Sequence, residues 1–355
     1  MTPKTYISGL GSSIPTTEVK NDFFLDHKFL HENGSSFDQE NEIIISKFNS
    51  ITGISARRYA SDNKKASDLA FEAAQAAIED ANMDKESLDY IIVAHNFGDL
   101  RPGSTQGDIL PNLASRVKQS LEIKNSNCVA YDLLFGCPGW LQGVIHADAF
   151  IRGGLASKVL IIGAETLSRV VDHTDRDSMI FADGAGACIL ECNTEHPKRG
   201  ILASATKTFA NEEADYLFSG TGHNPEDTTE GYIKMNGRKI YEFALNKVPS
   251  AMKAAFEKSG ENIEDLKKIF IHQANEKMDE AIVKRFFRLY KKQVPQGIMP
   301  MNIHELGNSS VATIPTLMDM VINQNYNGHE VERGDLIMLA SVGAGMSINA
   351  VIYRF

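Results

Sequence analysis

The chain has 355 residues, 43% of them hydrophobic, which is long enough for two globular domains of ordinary composition. Its net charge of −10 argues against nucleic-acid binding, and it has no apolar run near the roughly 18 residues of a membrane span. With no apolar leader, and with four cysteines too scattered for a disulfide framework or a zinc site, we expect a cytoplasmic protein without a metal or cofactor.

The two halves of the chain repeat each other. Residues 76–93 match residues 254–271 without a gap, and each stretch reads as an Ala-rich helix, a charged loop and an apolar strand. A second pair of strand-like runs, each followed by Gly-Ala-Gly, recurs at nearly the same offset. Chance likeness of Ala-rich helices is the alternative. We predict two copies of one α/β unit, 1–194 and 195–355, with buried and largely parallel sheets.

A cysteine stands where a strand-like run gives way to a helix-like run. The first run ends at Gly136, Cys137 follows, and the helical pattern starts within a few residues. A thiol at a helix N-terminus meets unpaired N–H groups and the positive end of the helix dipole, which favour the thiolate. The pattern predicts a nucleophile for covalent catalysis on an acyl group. The alternative is a buried cysteine that only packs the helix start.

Three later segments offer polar partners for that thiol. The second-half strand ends at His272, which could polarise a carbonyl or move a proton, and its first-half counterpart ends at His95. Asn308 follows Gly307 and offers an amide donor just before a helix. The Gly-rich turn at 343–345 could aim backbone N–H groups at an anion. A structural histidine, an N-cap and a tight connection are the respective alternatives.

Taken together, the motifs resemble those of the β-ketoacyl-acyl-carrier-protein synthase III family. The resemblance covers nearly the whole chain, and the ordered set is specific although each motif alone is modest. The matching segments are 51–54 with Arg57 and Arg58, 90–94, 137–139, 181–187, 234–238, 272–275, 307–310 and 343–345. The resemblance implies an α/β, thiolase-like, five-layered αβαβα fold built from two duplicated halves.

The resemblance also implies an acyltransferase that joins two acyl thioesters by Claisen condensation, in fatty-acid or polyketide-like lipid synthesis. Cys137, in the first half, would carry the acyl group, and the backbone N–H groups of Cys137 and Ala344 would form the oxyanion hole. His272 and Asn308, in the second half, would bind the carbonyl of the second thioester and stabilise its enolate. A covalent acceptor, an enolate site and an oxyanion hole are what this chemistry needs.

The implied partners are an acyl carrier protein and a second copy of the chain. Members of the family form homodimers, and residues 97–117 would reach toward the partner subunit. Carrier proteins are acidic, and a basic cluster falls at helical spacing on one predicted face. A solvated helix face is the alternative. The candidate docking residues are Lys277, Lys284, Arg285 and Arg288, followed by Lys291 and Lys292.

The chain departs from the family at the site for coenzyme A. The family has a Trp and an Arg that hold the adenine before the Thr-Gly-Ile motif, whereas residues 43–50 contain neither, and Trp140 is the one tryptophan. Lys277 stands where the family often has Arg, and Val342 replaces an aromatic residue. We therefore expect carrier-protein thioesters as donors. The missing clamp also motivates the hypothesis of a dialkylresorcinol-forming branch, which joins a 3-oxoacyl and an acyl thioester.

Several other functions share parts of this pattern. A thiolase needs a second catalytic Cys near its C-terminus, but no Cys follows position 192. Elongating synthases use a Cys-His-His set, whereas this chain has Asn308 in the third position. Plant-type polyketide synthases share the Cys-His-Asn set and therefore remain an alternative. Non-decarboxylative condensation would need a carboxylate base, for which Asp99 and Asp108 are candidates. A Cys-dependent acyltransferase or thioester hydrolase, or a silent scaffold protein, are the remaining alternatives.

Overall fold

Two mixed β-sheets organise residues 4–193 and 199–355, the part of the chain that this computed structural model describes. The predicted boundary between residues 194 and 195 lies outside these described residues. The strands are β1 (Lys4–Ser13), β2 (Thr17–Lys20), β3 (Ala56–Tyr59), β4 (Tyr90–Ala94), β5 (Val129–Leu133), β6 (Lys158–Thr166), β7 (Asp183–Asn193), β8 (Gly200–Thr208), β9 (Leu217–Gly220), β10 (Tyr232–Met235), β11 (Leu266–Ile271), β12 (Leu336–Gly343) and β13 (Ser347–Arg354). The helices are α1 (Asn41–Thr52), α2 (Ala66–Asp80), α3 (Leu113–Ser120), α4 (Gly139–Arg152), α5 (Gly237–Ser259), α6 (Glu276–Leu289), α7 (Ile303–Leu306) and α8 (Thr313–Gln324).

The two sheets and three helix layers stack in five layers. The first sheet has the order β1-β7-β6-β4-β5, and the second has the order β11-β12-β13-β8. Helices α4 and α8 lie between the sheets, α2 and α3 cover the outer face of the first sheet, and α5 and α6 cover that of the second. This is the duplicated αβαβα arrangement of the thiolase-like fold, as the resemblance implied.

The sheets are mixed, so the prediction of largely parallel sheets is wrong. Strands β4, β5 and β6 are parallel, but β7 runs against both β6 and β1. In the second sheet β11 and β12 are parallel, while β13 runs against β12 and β8. The connection between β12 and β13 is only three residues, and so short a turn can join only antiparallel neighbours.

The central helices are buried because they have a sheet on each side. Trp140, Leu141 and Val144 of α4 share one apolar core with Leu317 and Met318 of α8. A helix that packs against apolar surface on both sides needs apolar residues around most of its circumference, as α8 has from Thr313 to Val321. Within the described ranges, none of the helices combines the length and the apolar character that crossing a bilayer requires.

The Ala-rich character of α2 follows from how closely it packs on β1. A Cβ atom built on Gly9 would lie 2.3 Å from the carbonyl oxygen of Ala77, so glycine on the strand and alanine on the helix let the two backbones approach. Helix α5 holds the corresponding outer position on the second sheet. The outer helices thus pack closely on the sheets and hold them in place, and the ends of the strands position the residues of the cleft.

Candidate active site

A cleft of about 620 Å³ brings residues of both halves together. Cys137, His272 and Asn308 all line it, although they are widely separated in the sequence. Helix α1 and the start of α5 supply other parts of its wall. Further lining residues are Ile44, Lys47, Phe48, Arg176, Asp177, Arg238, Tyr241, Asn275, Val342 and Met346. The structure therefore places the three predicted side chains in a single site.

Cys137 lies in the turn between β5 and α4, pressed against the turn that follows β12. Gly136 has a positive φ of 64°, and a Cβ there would lie 2.8 Å from the backbone nitrogen of Ala344. A Cβ on Gly343 would lie 2.6 Å from the backbone nitrogen of Cys137. Glycine at both positions allows this approach. As a result, the backbone nitrogens of Cys137 and Ala344 both lie where the two turns touch, beside the Cys137 side chain.

The Cys137 thiol is protonated at neutral pH. Its pKa is raised to about 11, chiefly by burial and to a smaller extent by the side chain of Glu165, while the polar groups of Ser310 and of the Cys137 and Ala344 backbone act in the lowering direction. The helix N-terminus is expected to favour the thiolate, and burial, which disfavours the charged form, acts against that effect. Acyl transfer to this thiol requires a base to remove its proton.

His272 lines the same cleft and is a candidate for that base. Its Nδ1 lies 2.7 Å from the Thr313 hydroxyl, which itself donates to the carbonyl oxygen of Ser310 at 3.0 Å. A hydroxyl has one proton, so Thr313 must accept from Nδ1–H, and Nε2 is left with a lone pair. Burial lowers the pKa of His272 to about 4, which keeps the ring neutral. We assign this tautomer from the hydrogen-bond geometry.

Asn308 is oriented as a hydrogen-bond donor. Its side-chain oxygen accepts from the backbone N–H of Ser310 at 2.8 Å, which leaves the NH2 group as the other end of the amide. Its backbone N–H donates to Ile180 at 3.0 Å, and its carbonyl oxygen accepts from Ala182 at 2.9 Å. The residue is 5% exposed, so the amide is held in place from both sides.

His95, the first-half counterpart of His272, is structural. Its Nε2 lies 2.8 Å from Asp132, and its Nδ1 accepts from the Gly98 N–H at 3.0 Å, so both ring nitrogens are engaged away from the cleft. The candidate bases Asp99 and Asp108 are also occupied elsewhere. Both accept from Arg116, at 2.6 and 2.8 Å, and neither lines the cleft.

Several residues of the site were missed by sequence reasoning. Arg176 and Arg238 add positive charge to the cleft, and Asp177, whose pKa burial raises to about 6, adds a carboxyl group. Glu165 and Ser310 lie behind Cys137. Glu165 stands in the apolar run of β6, and this was a detectable signal of a functional role, because a carboxyl group is rarely buried without a charged partner. Arg176 begins a short 3-10 helix and Arg238 lies in the first turn of α5, and among their polar neighbours the sequence offers no comparable contrast.

One group of residues could bind a metal ion, but a lysine neutralises the negative charge of its carboxylates. Asp172, Asp175 and His223 lie close enough to share an ion. The ammonium group of Lys234 is 2.6 Å from Asp172 and 3.0 Å from Asp175, and all three are largely buried. The lysine therefore supplies the positive charge that holds these carboxylates together.

The predicted docking residues form an exposed face of α6 that starts beside the cleft. Lys277, Lys284, Arg285 and Arg288 are all exposed, while the opposite face is buried. Arg285 donates to the carbonyl oxygen of Leu245 at 2.9 Å. Of the two residues beyond the helix, Lys292 pairs with a glutamate of the loop before β11. The region of the expected adenine clamp is helix α1, which contributes apolar side chains and one lysine to the cleft.

Known proteins resemble this chain along its whole length. A family model described as 3-oxoacyl-[acyl-carrier-protein] synthase III matches residues 131–209, and the model of the C-terminal part matches residues 256–355. The β-ketoacyl-[acyl-carrier-protein] synthase III of Sinorhizobium medicae is 31% identical over 99% of both chains. The solved synthase III structures of Aquifex aeolicus and Thermus thermophilus each superpose with a TM-score of 0.81 at 29% identity. They cover 99% of this chain, and 100% and 99% of their own.

Proposed function

The chain belongs to the 3-oxoacyl-[acyl-carrier-protein] synthase III family of condensing acyltransferases, and on that premise we propose which of its residues perform the condensation. Cys137 takes the acyl group, His272 moves its proton, and Asn308 binds the enolate. The observation that carries this proposal is the convergence of these side chains on one cleft, beside the touching turns that hold the backbone nitrogens of Cys137 and Ala344. A condensing site needs these elements together.

In the first step, the Cys137 sulfur attacks the carbonyl carbon of the donor thioester. The thiol proton passes to Nε2 of His272, and the oxyanion is stabilised by the N–H groups of Cys137 and Ala344. The carrier thiolate then leaves and takes the proton from His272. Because burial lowers the pKa of His272 to about 4, the protonated ring readily releases that proton to the leaving group.

In the second step, an extender thioester forms an enolate whose oxygen accepts from the Asn308 NH2. With a malonyl extender, the enolate arises as the carbon–carbon bond to the carboxylate breaks and CO2 leaves. The enolate carbon attacks the acyl carbon on Cys137, and the same two N–H groups stabilise the second oxyanion. That oxyanion collapses, expels the Cys137 thiolate and leaves a 3-oxoacyl thioester on the carrier.

Intact-protein mass spectrometry tests this function. The protein is incubated with matched acyl-coenzyme A and acyl-carrier-protein donors of several chain lengths, without an extender. A mass gain equal to the acyl group, followed by its loss with formation of a 3-oxoacyl product when an extender is added, is the expected result. An adduct that is lost to water at the same rate with or without extender would instead identify a thioester hydrolase.

We further propose that the donors are carrier-protein thioesters. Helix α1 offers apolar residues and one lysine where an adenine clamp was expected, and the cationic face of α6 starts next to the cleft. Arg176 stands at the cleft with its guanidinium 5.4 Å from the centre of the Phe37 ring. An acidic carrier would be attracted to these charges.

Reversing two charges on α6 should weaken carrier-protein turnover selectively. We expect Lys284→Glu with Arg288→Glu to lower kcat/KM for an acyl-carrier-protein donor about tenfold or more at low salt, because the attraction that steers the encounter becomes a repulsion. The same rate measured with acyl-coenzyme A should change little. The carrier effect should shrink as salt rises.

The matched control is Lys124→Glu with Arg333→Glu, two exposed residues outside α6 with the same charge change. Equal losses in the two double variants would mean that net charge, and not a docking face, sets the rate. Undiminished carrier kinetics in the α6 variant would rule out this face as the docking surface.

A second candidate reaction is the joining of a 3-oxoacyl and an acyl thioester, as in dialkylresorcinol formation. Asp177 supports this reaction, because its carboxyl group lines the cleft and has a pKa raised to about 6. Such a group could act as the base that removes an acidic α-proton from the 3-oxoacyl thioester. Released CO2 separates the reactions. One equivalent per product identifies a malonyl extender, whereas product without CO2 identifies the non-decarboxylative route.

We also propose a homodimer in which β5 and the loop at 97–117 meet the partner subunit. Strand β5 is the edge of the first sheet and pairs only with β4 within the described chain. Large apolar side chains near this edge are exposed: Leu110 at 87%, Leu134 at 61% and Ile109 at 54%. An open edge beside exposed apolar residues indicates an interaction surface.

Leu110→Asp should therefore weaken the dimer without destabilising the subunit. Each subunit would lose one buried leucine and gain a charge at the interface, so we expect the dissociation constant to rise roughly 100-fold or more. Sedimentation velocity over a concentration series measures it. Leu155→Asp, at another exposed leucine, is the control. A monomeric wild-type protein, or equal effects of both substitutions, would contradict the proposed interface.

A further inference from the structure

Ser310 is linked by hydrogen bonds to both catalytic residues proposed for the second half of the chain. Its backbone N–H donates to the side-chain oxygen of Asn308 at 2.8 Å. Its carbonyl oxygen accepts from the Thr313 hydroxyl at 3.0 Å, and that hydroxyl lies 2.7 Å from Nδ1 of His272. The directions of the N–H and carbonyl groups depend on the φ and ψ angles of Ser310. The conformation of this one residue therefore helps to orient an amide and an imidazole.

The backbone of Ser310 has a conformation that side chains disfavour. Its φ is 51°, in the left-handed region, and the residue is 3% exposed. A residue with a Cβ atom meets a steric penalty there, which glycine would avoid. Serine at this position therefore needs contacts that hold the conformation, and its hydroxyl is the part of the side chain that can make them.

The Ser310 hydroxyl is anchored from the first half of the chain. The side-chain amide of Asn96 donates to this hydroxyl at 3.1 Å and also donates to the carboxyl group of Glu165. Asn96 follows the end of β4, and Glu165 is a residue of β6 that is 1% exposed. Neither of them lines the cleft. The anchor therefore reaches the site through Ser310.

Strand β6 packs closely on the turn that contains Ser310. A Cβ atom on Gly163 would lie 2.4 Å from the carbonyl oxygen of Val311. Side chains two residues apart on a strand point to the same face of the sheet, so Glu165 is on this face as well. A buried carboxyl group needs a hydrogen bond, and Asn96 supplies one. Glycine thus lets the turn approach the strand, and the carboxyl group reaches the turn through the amide.

We propose that Ser310 is a positioning residue that orients both Asn308 and His272. Asn96 and Glu165 hold it in the left-handed conformation that this role requires. The inference rests on the proposed function and deepens it, since it concerns two of the same side chains. Through the N–H group of Ser310 the amide keeps its NH2 group free for the enolate, and through the carbonyl group the imidazole keeps its lone pair on Nε2.

The carbonyl group of Ser310 acts on the imidazole by occupying the one proton of the Thr313 hydroxyl. That hydroxyl can then only accept from the ring, so the ring proton stays on Nδ1 of His272. Burial lowers the pKa of His272 to about 4, so at pH 7 the ring is neutral and carries a single N–H. When the carbonyl group turns away, Thr313 becomes able to donate to Nδ1, and the ring proton moves to Nε2. That tautomer cannot accept the thiol proton.

The experiment records nitrogen-15 spectra of histidine-labelled protein at pH 7, without any substrate. A protonated ring nitrogen and one with a free lone pair resonate at well-separated shifts, and the variant His272→Gln assigns the signals. We expect pure Nδ1–H in the wild type, and a mixture of the two tautomers in Ser310→Ala and in Asn96→Ala. A pure Nδ1–H tautomer in Ser310→Ala would overturn the proposal, and the same result in Asn96→Ala would overturn the role of the anchor.

Ser310→Gly separates the backbone conformation from the hydroxyl. Glycine adopts the left-handed conformation without a steric penalty, so the carbonyl group can stay in place without the anchor. In single-turnover assays we expect Ser310→Ala to slow acyl transfer and condensation each roughly tenfold or more, and Ser310→Gly to recover most of that loss. KM for the acyl donor should stay within a few-fold of the wild-type value, because Ser310 does not line the cleft. Equal losses in the two variants would contradict the proposal, since the conformation would then have no effect.

Glu165→Gln and Glu165→Leu form a matched pair that leaves Ser310 unaltered. Burial raises the pKa of Glu165 to about 8, so the carboxyl group is largely neutral at pH 7 and glutamine can replace it as the acceptor for Asn96. We expect the wild-type tautomer in Glu165→Gln and a mixture in Glu165→Leu. Identical spectra of the two variants would show that Glu165 has no part in the positioning.

Ser309→Ala, at the half-buried neighbouring serine, is the control and should keep the wild-type spectrum and rates. A change in the His272 signals as large as that in Ser310→Ala would assign the effect to a general disturbance of the turn and would contradict the proposal. The spectra need no acyl donor, so a failure of this inference is distinguishable from a failure of the proposed condensation.

Discussion

Cys137→Ala is expected to abolish both acyl-enzyme formation and condensation. Every covalent step of the proposed mechanism passes through the sulfur of Cys137, a residue that lines the cleft. Loss of a nucleophile typically lowers turnover by at least about 10⁴-fold. We expect no mass gain with any acyl donor and no 3-oxoacyl product, while the fold is retained because alanine fits where cysteine stood.

The control is Cys192→Ala, at a half-buried cysteine outside the cleft, which should acylate and condense as the wild type does. Acyl-enzyme that persists in Cys137→Ala would place the acyl group on another residue. Residual product without an adduct would show that the acyl donor reacts directly with the enolate, so that no covalent intermediate is required.

Asn308→Asp is expected to block condensation while sparing acyl transfer. The substitution keeps the shape and the oxygen that accepts from Ser310, but it replaces the NH2 donor with a second oxygen. An enolate would then face an acceptor or a negative charge in place of a donor. Loss of such a donor costs about 10²- to 10³-fold in rate, and the repulsion should add to it.

The two half-reactions should respond differently, which single-turnover mass spectrometry can follow. We expect the acyl-enzyme to form in Asn308→Asp within a few-fold of the wild-type rate and then to persist after the extender is added. Asn262→Asp, in an exposed turn where the aspartate can keep the cap to Glu264, is the matched control. Equal slowing of both half-reactions would assign Asn308 a general structural role.

Much of the architecture can be predicted from the sequence, because helices, strands and tight turns depend largely on neighbouring residues. The Ala-rich helix and the apolar strand of residues 76–93 recur at 254–271, and the structure forms α2 and β4 from the first stretch and α5 and β11 from the second. Glycines mark the sharp turns at Gly136 and Gly307, where φ is positive. The relative directions of the strands could not be predicted from the sequence, since they depend on which strands pair in the folded chain.

The two strand-end histidines show where local pattern stops being informative. His95 and His272 follow equivalent strands and carry the same sequence signal. Asp132, from the neighbouring strand, and the nearby Gly98 engage both ring nitrogens of His95, whereas Thr313 engages only one nitrogen of His272. The pattern could place both rings at strand ends but could not tell which one retains a free lone pair.

Sequence alone indicated the duplicated α/β plan, and the resemblance of its ordered motifs to a known family singled out Cys137, His272 and Asn308, for each of which the local pattern by itself left a structural alternative open. The tertiary structure decided their chemical state. It raised the pKa of the thiol, lowered that of the imidazole, and joined Glu165, Asn96 and Ser310 behind the sulfur. Those effects arise from burial and from hydrogen bonds between residues far apart in the chain, and no local pattern encodes either.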